Sequence, residues 1–173
     1  MDSYKNKLHQ IKAFVFDVDG VFTDGTVLVT ESGELLRSHH AKDGYAIRCA
    51  VEAGYPVGII TGGISPTIAM RFDTLGVKDV YLGAHAKMES FCHFCAKYRL
   101  APWEVLYMGD DIPDIEVMRV CGLPCCPSDA AHEVQEVAQY ISLYAGGRGC
   151  VRDVVEQALR LHGKWNLDAH ASS

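Results

Sequence analysis

No stretch of this 173-residue chain offers the roughly 18 consecutive apolar residues that a membrane-crossing helix needs, so no membrane partner is expected. The first ten residues, Met1 to Gln10, are polar and lack the apolar core of a secretory signal, which makes a cytoplasmic location the expectation. Internal repeats, low-complexity tracts and linker-like segments are all missing, and the length suits one domain. Positive charge is in deficit: 16 Lys and Arg against 22 Asp and Glu leave a net charge of −6, which argues for no nucleic-acid partner. An anionic substrate would then need a locally positive pocket or a metal ion. A complete set of disulfides is excluded by the odd count of seven cysteines, and reduced thiols are the simplest reading. Cys92 and Cys95 have the spacing of half a zinc site, but their segment reads as a helix in which the thiols pack. What the chain does have is ordinary for a globular protein, 49% apolar and 22% charged residues, which excludes a disordered chain, a collagen repeat and a coiled coil.

Short apolar runs alternate with helix-like stretches. Ala13–Phe16, Pro56–Ile60, Val80–Leu82 and Val105–Met108 read as strands, and Leu123–Cys126 and Tyr140–Leu143 as weaker ones. Helices are expected near 43–53, 65–75, 86–99, 112–120, 129–137 and 149–162. Continuous apolar runs suit strands covered on both faces, and their alternation with helices predicts an α/β fold with a doubly wound parallel sheet. One segment breaks the pattern. Thr26–Thr30 and Glu34–Ser38, about a turn at Glu31–Gly33, read as a β-hairpin leaving the end of the first strand. It is either a plain surface hairpin or a flap, about 24–40, over a site there. The core is expected over 1–163, with 164–173 as a C-terminal tail.

Ligands of open α/β sheets gather at the carboxyl ends of the strands. Here those ends carry Asp17 and Asp19, then Thr61 with Gly62 and Gly63, then the Lys87 region, then Asp110 and Asp111. Each alone has a bland explanation as a turn, a loop start or a helix cap; together they face one crevice. Two carboxylates two residues apart, with a third from another strand, suit an oxygen-loving Mg2+ and would repel each other without a cation. The Thr61 hydroxyl, the Lys87 ammonium and loop amides could hold phosphoryl oxygens. Ser65 and Pro66 read as an N-cap and first helical residue just past Thr61. The chemistry that uses such parts is phosphoryl transfer to a carboxylate.

The run Phe16–Gly25, followed in order by Ile60–Gly62, Lys87 and Gly109–Asp114, resembles the signatures of the haloacid-dehalogenase-type phosphatases over most of the chain. That resemblance implies the Rossmann-like core of that family, with Asp17 as nucleophile and Asp19 as general acid and base. It implies Mg2+ held by Asp17, Asp19 and Asp110 and the Val18 carbonyl, phosphate held by Thr61 and Lys87, and Asp111 and Asp114 as supports behind them. Only 44 residues separate Asp17 from Thr61, and 26 separate Thr61 from Lys87. Neither interval houses a cap domain, so an open site completed by a flap or a second subunit is expected.

Asp24–Gly25, Lys42–Arg48, Arg71 before Thr74–Gly76, and Ala145–Gly149 narrow the resemblance to the capless 3-deoxy-D-manno-octulosonate 8-phosphate phosphatases of lipopolysaccharide synthesis. That branch implies a phosphorylated sugar-acid substrate and a homotetramer whose neighbouring subunits complete the site. Its substrate contacts map onto Asp19, His40, Ala41, Lys42, Asp43, Gly44, Arg48, Arg71 and Lys87. Arginine suits both the phosphate and the carboxylate of such a substrate. Relatives often carry arginine after the Thr-Gly pair, where this chain has Gly63. The missing contact is absent or supplied from elsewhere, for example by Arg148, and a nine-carbon sugar-acid 9-phosphate stays open as substrate. A phospho-acceptor signalling domain is the alternative from a different class, but it has no need of Asp19.

Overall fold

The computed structural model describes residues 3–165. Six strands form one sheet: β1 (Ala13–Phe16), β4 (Val57–Ile60), β5 (Asp79–Tyr81), β6 (Val105–Met108), β7 (Leu123–Cys126) and β8 (Tyr140–Ile141). Their order is β5-β4-β1-β6-β7-β8 and every pairing is parallel. Strand order reverses at β1, so the crevice for a ligand opens beyond its carboxyl end. Alternate residues of each strand feed two cores. Phe14, Phe16, Val57, Ile59, Leu106 and Met108 face one side, under α2 (Ala41–Glu52), α3 (Pro66–Asp73) and α7 (Cys150–Leu161). Ala13, Val15, Ile60, Val105 and Tyr107 face the other, under α4 (Lys87–Tyr98), α5 (Ile115–Met118) and α6 (His132–Val137). This is the expected doubly wound α/β sheet with no separate cap domain.

The departures have local causes. An additional helix, α1 (Tyr4–Gln10), precedes β1, with Ser3 Oγ accepting from the Lys5 amide and Leu8 packed into the core. The hairpin is real but pairs only β2 (Leu28–Val29) with β3 (Leu35–Leu36), whose four side chains are all exposed and so gain little from a longer pairing. The expected helix over 112–120 splits at Pro113 into a tight 3-10 turn, Ile112–Asp114, and the short α5. Cys95 is buried as expected, whereas Cys92 points to solvent, and among the described residues no cysteine forms a disulfide. Among the described residues no helix is long and apolar enough to cross a membrane. Of the tail, Lys164 and Trp165 fold back on α7, with Arg152 over the Trp165 ring at 4.6 Å; 166–173 lie outside the described residues.

The loop after β1 is held from two directions. Gly20 has φ +84°, and a Cβ there would sit 1.8 Å from an Asp110 carboxylate oxygen, so the backbone must pass close under that acid. Thr23, fully buried, accepts the amides of Gly20 and Gly25 on its hydroxyl. From the far side the Ala145–Gly149 segment docks on the same loop, the Gly147 amide donating to the Val21 carbonyl. A Cβ at Gly146 would lie 1.9 Å from the Gly20 carbonyl oxygen. Gly146→Ala is therefore expected to lower stability by about 1–3 kcal/mol in urea unfolding, by overpacking. A loss under about 0.5 kcal/mol would show that the two loops do not press on each other.

Candidate active site

Asp17 follows the last residue of β1, and its amide donates to the Met108 carbonyl of β6, so the carboxylate is set between two central strands. Its Oδ1 accepts from the Val18 amide at 2.7 Å. Its Oδ2 lies 3.0 Å from Lys87 Nζ, brought in at the first residue of α4. The same ammonium is 2.6 Å from Asp114 Oδ1. Asp114 itself is fully buried and saturated: Tyr107 donates to Oδ1 at 2.6 Å, and the amides of Asp110 and Asp111 donate to Oδ2 at 3.1 and 3.3 Å. Lys87 is thus clamped between two acids, with only 6% of its side chain exposed. Burial works against its charge, but the pull of Asp17 and Asp114 outweighs it and raises its pKa.

Carboxylate oxygens of Asp17, Asp110 and Asp114 lie within 4.8 Å of one another. Burial above all, then the facing acids, raises Asp17 to about 7 and Asp110 to about 8. One ammonium does not balance three acids, and Asp110 Oδ1 is buried with no hydrogen-bond partner among the described residues. An open, buried oxygen in a set of hard donors fits a small divalent cation such as Mg2+, with Asp17 and Asp110 as the acids free to hold it.

The cavity over this group is about 400 Å³ and is lined by Asp17, Asp19, Thr61, Gly63, Lys87 and Asp110 among others. Asp111 stands on its exposed rim and caps the turn that follows, accepting from the Ile112 amide. Thr61, 1% exposed, accepts the Gly63 amide at 3.1 Å. Ser65 does hold the N-cap position with Pro66 at the first turn of α3, but its hydroxyl bonds Thr67 rather than a helix amide.

Two sets of expected residues stand elsewhere. The Asp19 carboxylate is not in the acidic group: it is turned onto Arg37, which donates from Nε at 2.8 Å and from Nη2 at 3.1 Å. Asp114 takes its place within reach of Asp17. The expected substrate contacts of α2 also lie outside the main cavity. Asp43 is fully buried and accepts the Arg152 amide at the start of α7. His40 and Lys42 border a second concavity of about 470 Å³ with Tyr144, Arg148 and Arg152. Arg71 packs on Gly44, and Arg48 is exposed and donates to the Thr74 carbonyl. Ala41 is exposed at the first residue of α2. Arg37, Thr23 and Tyr107 escaped the sequence reading. Arg37 acts through a partner 18 residues away and Tyr107 from inside an apolar run, so no local pattern marks them, whereas Thr23 stands within the Phe16–Gly25 signature and serves its own loop.

The profile of the haloacid dehalogenase-like hydrolases matches residues 66–151. The chain is 38% identical over 158 residues to the 3-deoxy-D-manno-octulosonate 8-phosphate phosphatase of Escherichia coli K12, covering 91% of this chain and 84% of that one. The chain belongs to this family of hydrolases. The crystal structure of the same phosphatase from Yersinia pestis superposes with a TM-score of 0.90 at 34% identity, over 92% of this chain and 86% of that one. That of the Moraxella catarrhalis phosphatase, in complex with magnesium ion, phosphate ion and KDO, gives 0.90 at 28% identity, over 95% and 94%. Such a hydrolase should take up Mg2+ in competition with protons on the raised acids Asp17 and Asp110. Titration calorimetry should therefore show affinity rising at least about tenfold from pH 6 to pH 8, with protons released on binding. An affinity flat across that range would remove these acids as the ligands.

Proposed function

We propose that this hydrolase cleaves 3-deoxy-D-manno-octulosonate 8-phosphate to 3-deoxy-D-manno-octulosonate and phosphate, in lipopolysaccharide synthesis. The carrying observation is Asp17, poised at the end of β1 against Lys87 and beside an acid with an open oxygen, in a chain so close to phosphatases of that name. Its unit is the core over 1–163, with the 24–40 hairpin as flap, working in the cytoplasm.

Asp17 attacks phosphorus, an O–P bond forming as the bond from phosphorus to the terminal sugar oxygen breaks. Asp19 gives the departing alkoxide its proton, then takes one from the water that cleaves the aspartyl phosphate and frees Asp17. Lys87 and Thr61 hold the phosphoryl oxygens, Lys87 kept aimed by Asp114. Asp17 and Asp110 would hold Mg2+, which when bound would offset negative charge developing on the phosphoryl group, whereas the Val18 carbonyl expected beside them is taken up by the amides of Val21, Phe22 and Thr23. Asp111 and Asp114 shape the loop behind these ligands.

His40, Ala41, Lys42, Arg48 and Arg71 serve the sugar acid within a homotetramer, where they complete a site that one chain leaves open, while the buried Asp43 holds their helix on α7 instead of meeting substrate. Support comes from their position: in the single chain they lie off the catalytic cavity, while His40, Lys42 and Arg148 share a second concavity at the surface. Sedimentation of the active protein should show the tetramer; a fully active monomer would overturn this part of the reading.

Asp17→Asn should abolish Mg2+-dependent phosphate release, by a factor of at least about a thousand, while leaving the circular dichroism spectrum unchanged. Kinetic comparison of eight- and nine-carbon sugar-acid phosphates should favour the eight-carbon one. Preference for the nine-carbon compound would move the assignment to its 9-phosphate, the alternative left open by Gly63, and equally poor turnover of both would defeat it.

A further inference from the structure

Arg37 has no place in the reading above, yet it is the residue most entangled with it. It follows β3 on the flap, and its side chain is only 8% exposed. Two of its nitrogens fasten Asp19 in a fork-to-fork pair, the geometry in which arginine binds carboxylates and phosphates best. Its third, Nη1, is buried and meets no acceptor among the described residues, a state that is costly for a charged donor. Beside it the wall of the cavity carries no side chain at Gly63: a Cβ there would lie 2.9 Å from the terminal methyl of Ile68, which would have to turn aside, 3.4 Å from Thr61 Oγ1 and 3.5 Å from Arg37 Nη2. A guanidinium therefore already hangs over the space that a side chain at position 63 would fill, next to a hydroxyl lining the catalytic cavity.

The pair poses a problem for Asp19. Both Asp19 oxygens are engaged by the guanidinium, so the acid is more open to a leaving alkoxide once Arg37 lets go. An anionic oxygen is the acceptor that can replace Asp19 on a guanidinium. On the reading that the substrate is a sugar-acid phosphate, that anion arrives with the substrate.

We propose that Arg37 is a substrate-recognition residue carried on the flap. An anionic oxygen of the bound substrate takes its guanidinium over the bare Gly63 position, and in doing so takes it off Asp19. Recognition and release of the acid are then one event. A ligand without a suitably placed anionic oxygen leaves Asp19 tied.

The test moves the cation. Arg37→Ala should raise KM for the eight-carbon substrate about tenfold or more, as the loss of a charge-assisted contact would. Adding Gly63→Arg to that variant should bring KM back to within about threefold of the unmodified chain, since the new side chain enters the space Arg37 left. A merely structural Arg37 would not be rescued from another element. Inhibition of p-nitrophenyl phosphate hydrolysis by inorganic phosphate and by free 3-deoxy-D-manno-octulosonate tells which anion is taken. Weaker inhibition by phosphate in Arg37→Ala assigns the phosphoryl group, and weaker inhibition by the sugar acid assigns the carboxylate.

Thermal melts confirm that each variant is folded. A KM within twofold of the parent with both inhibitors unchanged overturns the proposal, and so does a folded double variant no better than the single one. If the unmodified chain hydrolyses p-nitrophenyl phosphate but not the eight-carbon substrate, the substrate assignment fails instead. The inhibition arms still decide Arg37 in that case.

Discussion

Three carboxylates share a buried pocket with one ammonium, and most of what surrounds them answers to that imbalance. Lys87 is spent on Asp17 and Asp114 at once, and Asp114 is spent on Lys87, Tyr107 and two backbone amides. That leaves Asp17 and Asp110 short of positive charge, with one oxygen lacking any donor. Groups so placed either hold protons or hold a cation, because bare like charges at this separation are too costly away from water. The loop glycine at Gly20, the anchoring hydroxyl of Thr23 and the docked Gly146–Gly147 segment keep the backbone close enough to maintain that state.

The parts of the fold that were legible are those whose burial is written into the chain. Ala13–Phe16, Val57–Ile60 and Val105–Met108 are covered on both faces, so their apolar runs admit few readings. The lining of the cavity was legible at Asp17, Thr61 and Asp110, which follow strands whose ends the sheet delivers to one edge, and at Lys87, which opens the helix after β5 on that same edge. Tyr107 was not, because its hydroxyl sits on a ring that looks like any other member of the β6 run. Arg37 was not, because its bond to Asp19 spans 18 residues and neither helix nor strand periodicity links them. The α2 residues show a third case. The motif His40–Gly44 was recognisable, but its direction was not: Asp43 turns inward to the α7 terminus, a contact 109 residues away.

The two sides of the molecule divide the work. The α4, α5 and α6 face buries Phe91, Phe94 and Tyr107 and, through Lys87 and Asp114, supports the reacting groups from beneath. The opposite face carries α2 and α7, the second concavity and the segments that resemble substrate contacts. No cap domain lies between them, and the flap reaches the Asp19 carboxylate through Arg37.

The hairpin that carries this contact has exposed strands of two residues each and contributes nothing to either core. Substitutions at Leu28, Val29, Leu35 and Leu36 should therefore cost folding little, while those around Asp17 are tightly constrained. That asymmetry makes the flap the cheapest place for natural variation to act. A lineage could retune which sugar acid it accepts through a handful of changes there, drifting in preference while the hydrolytic centre stands still.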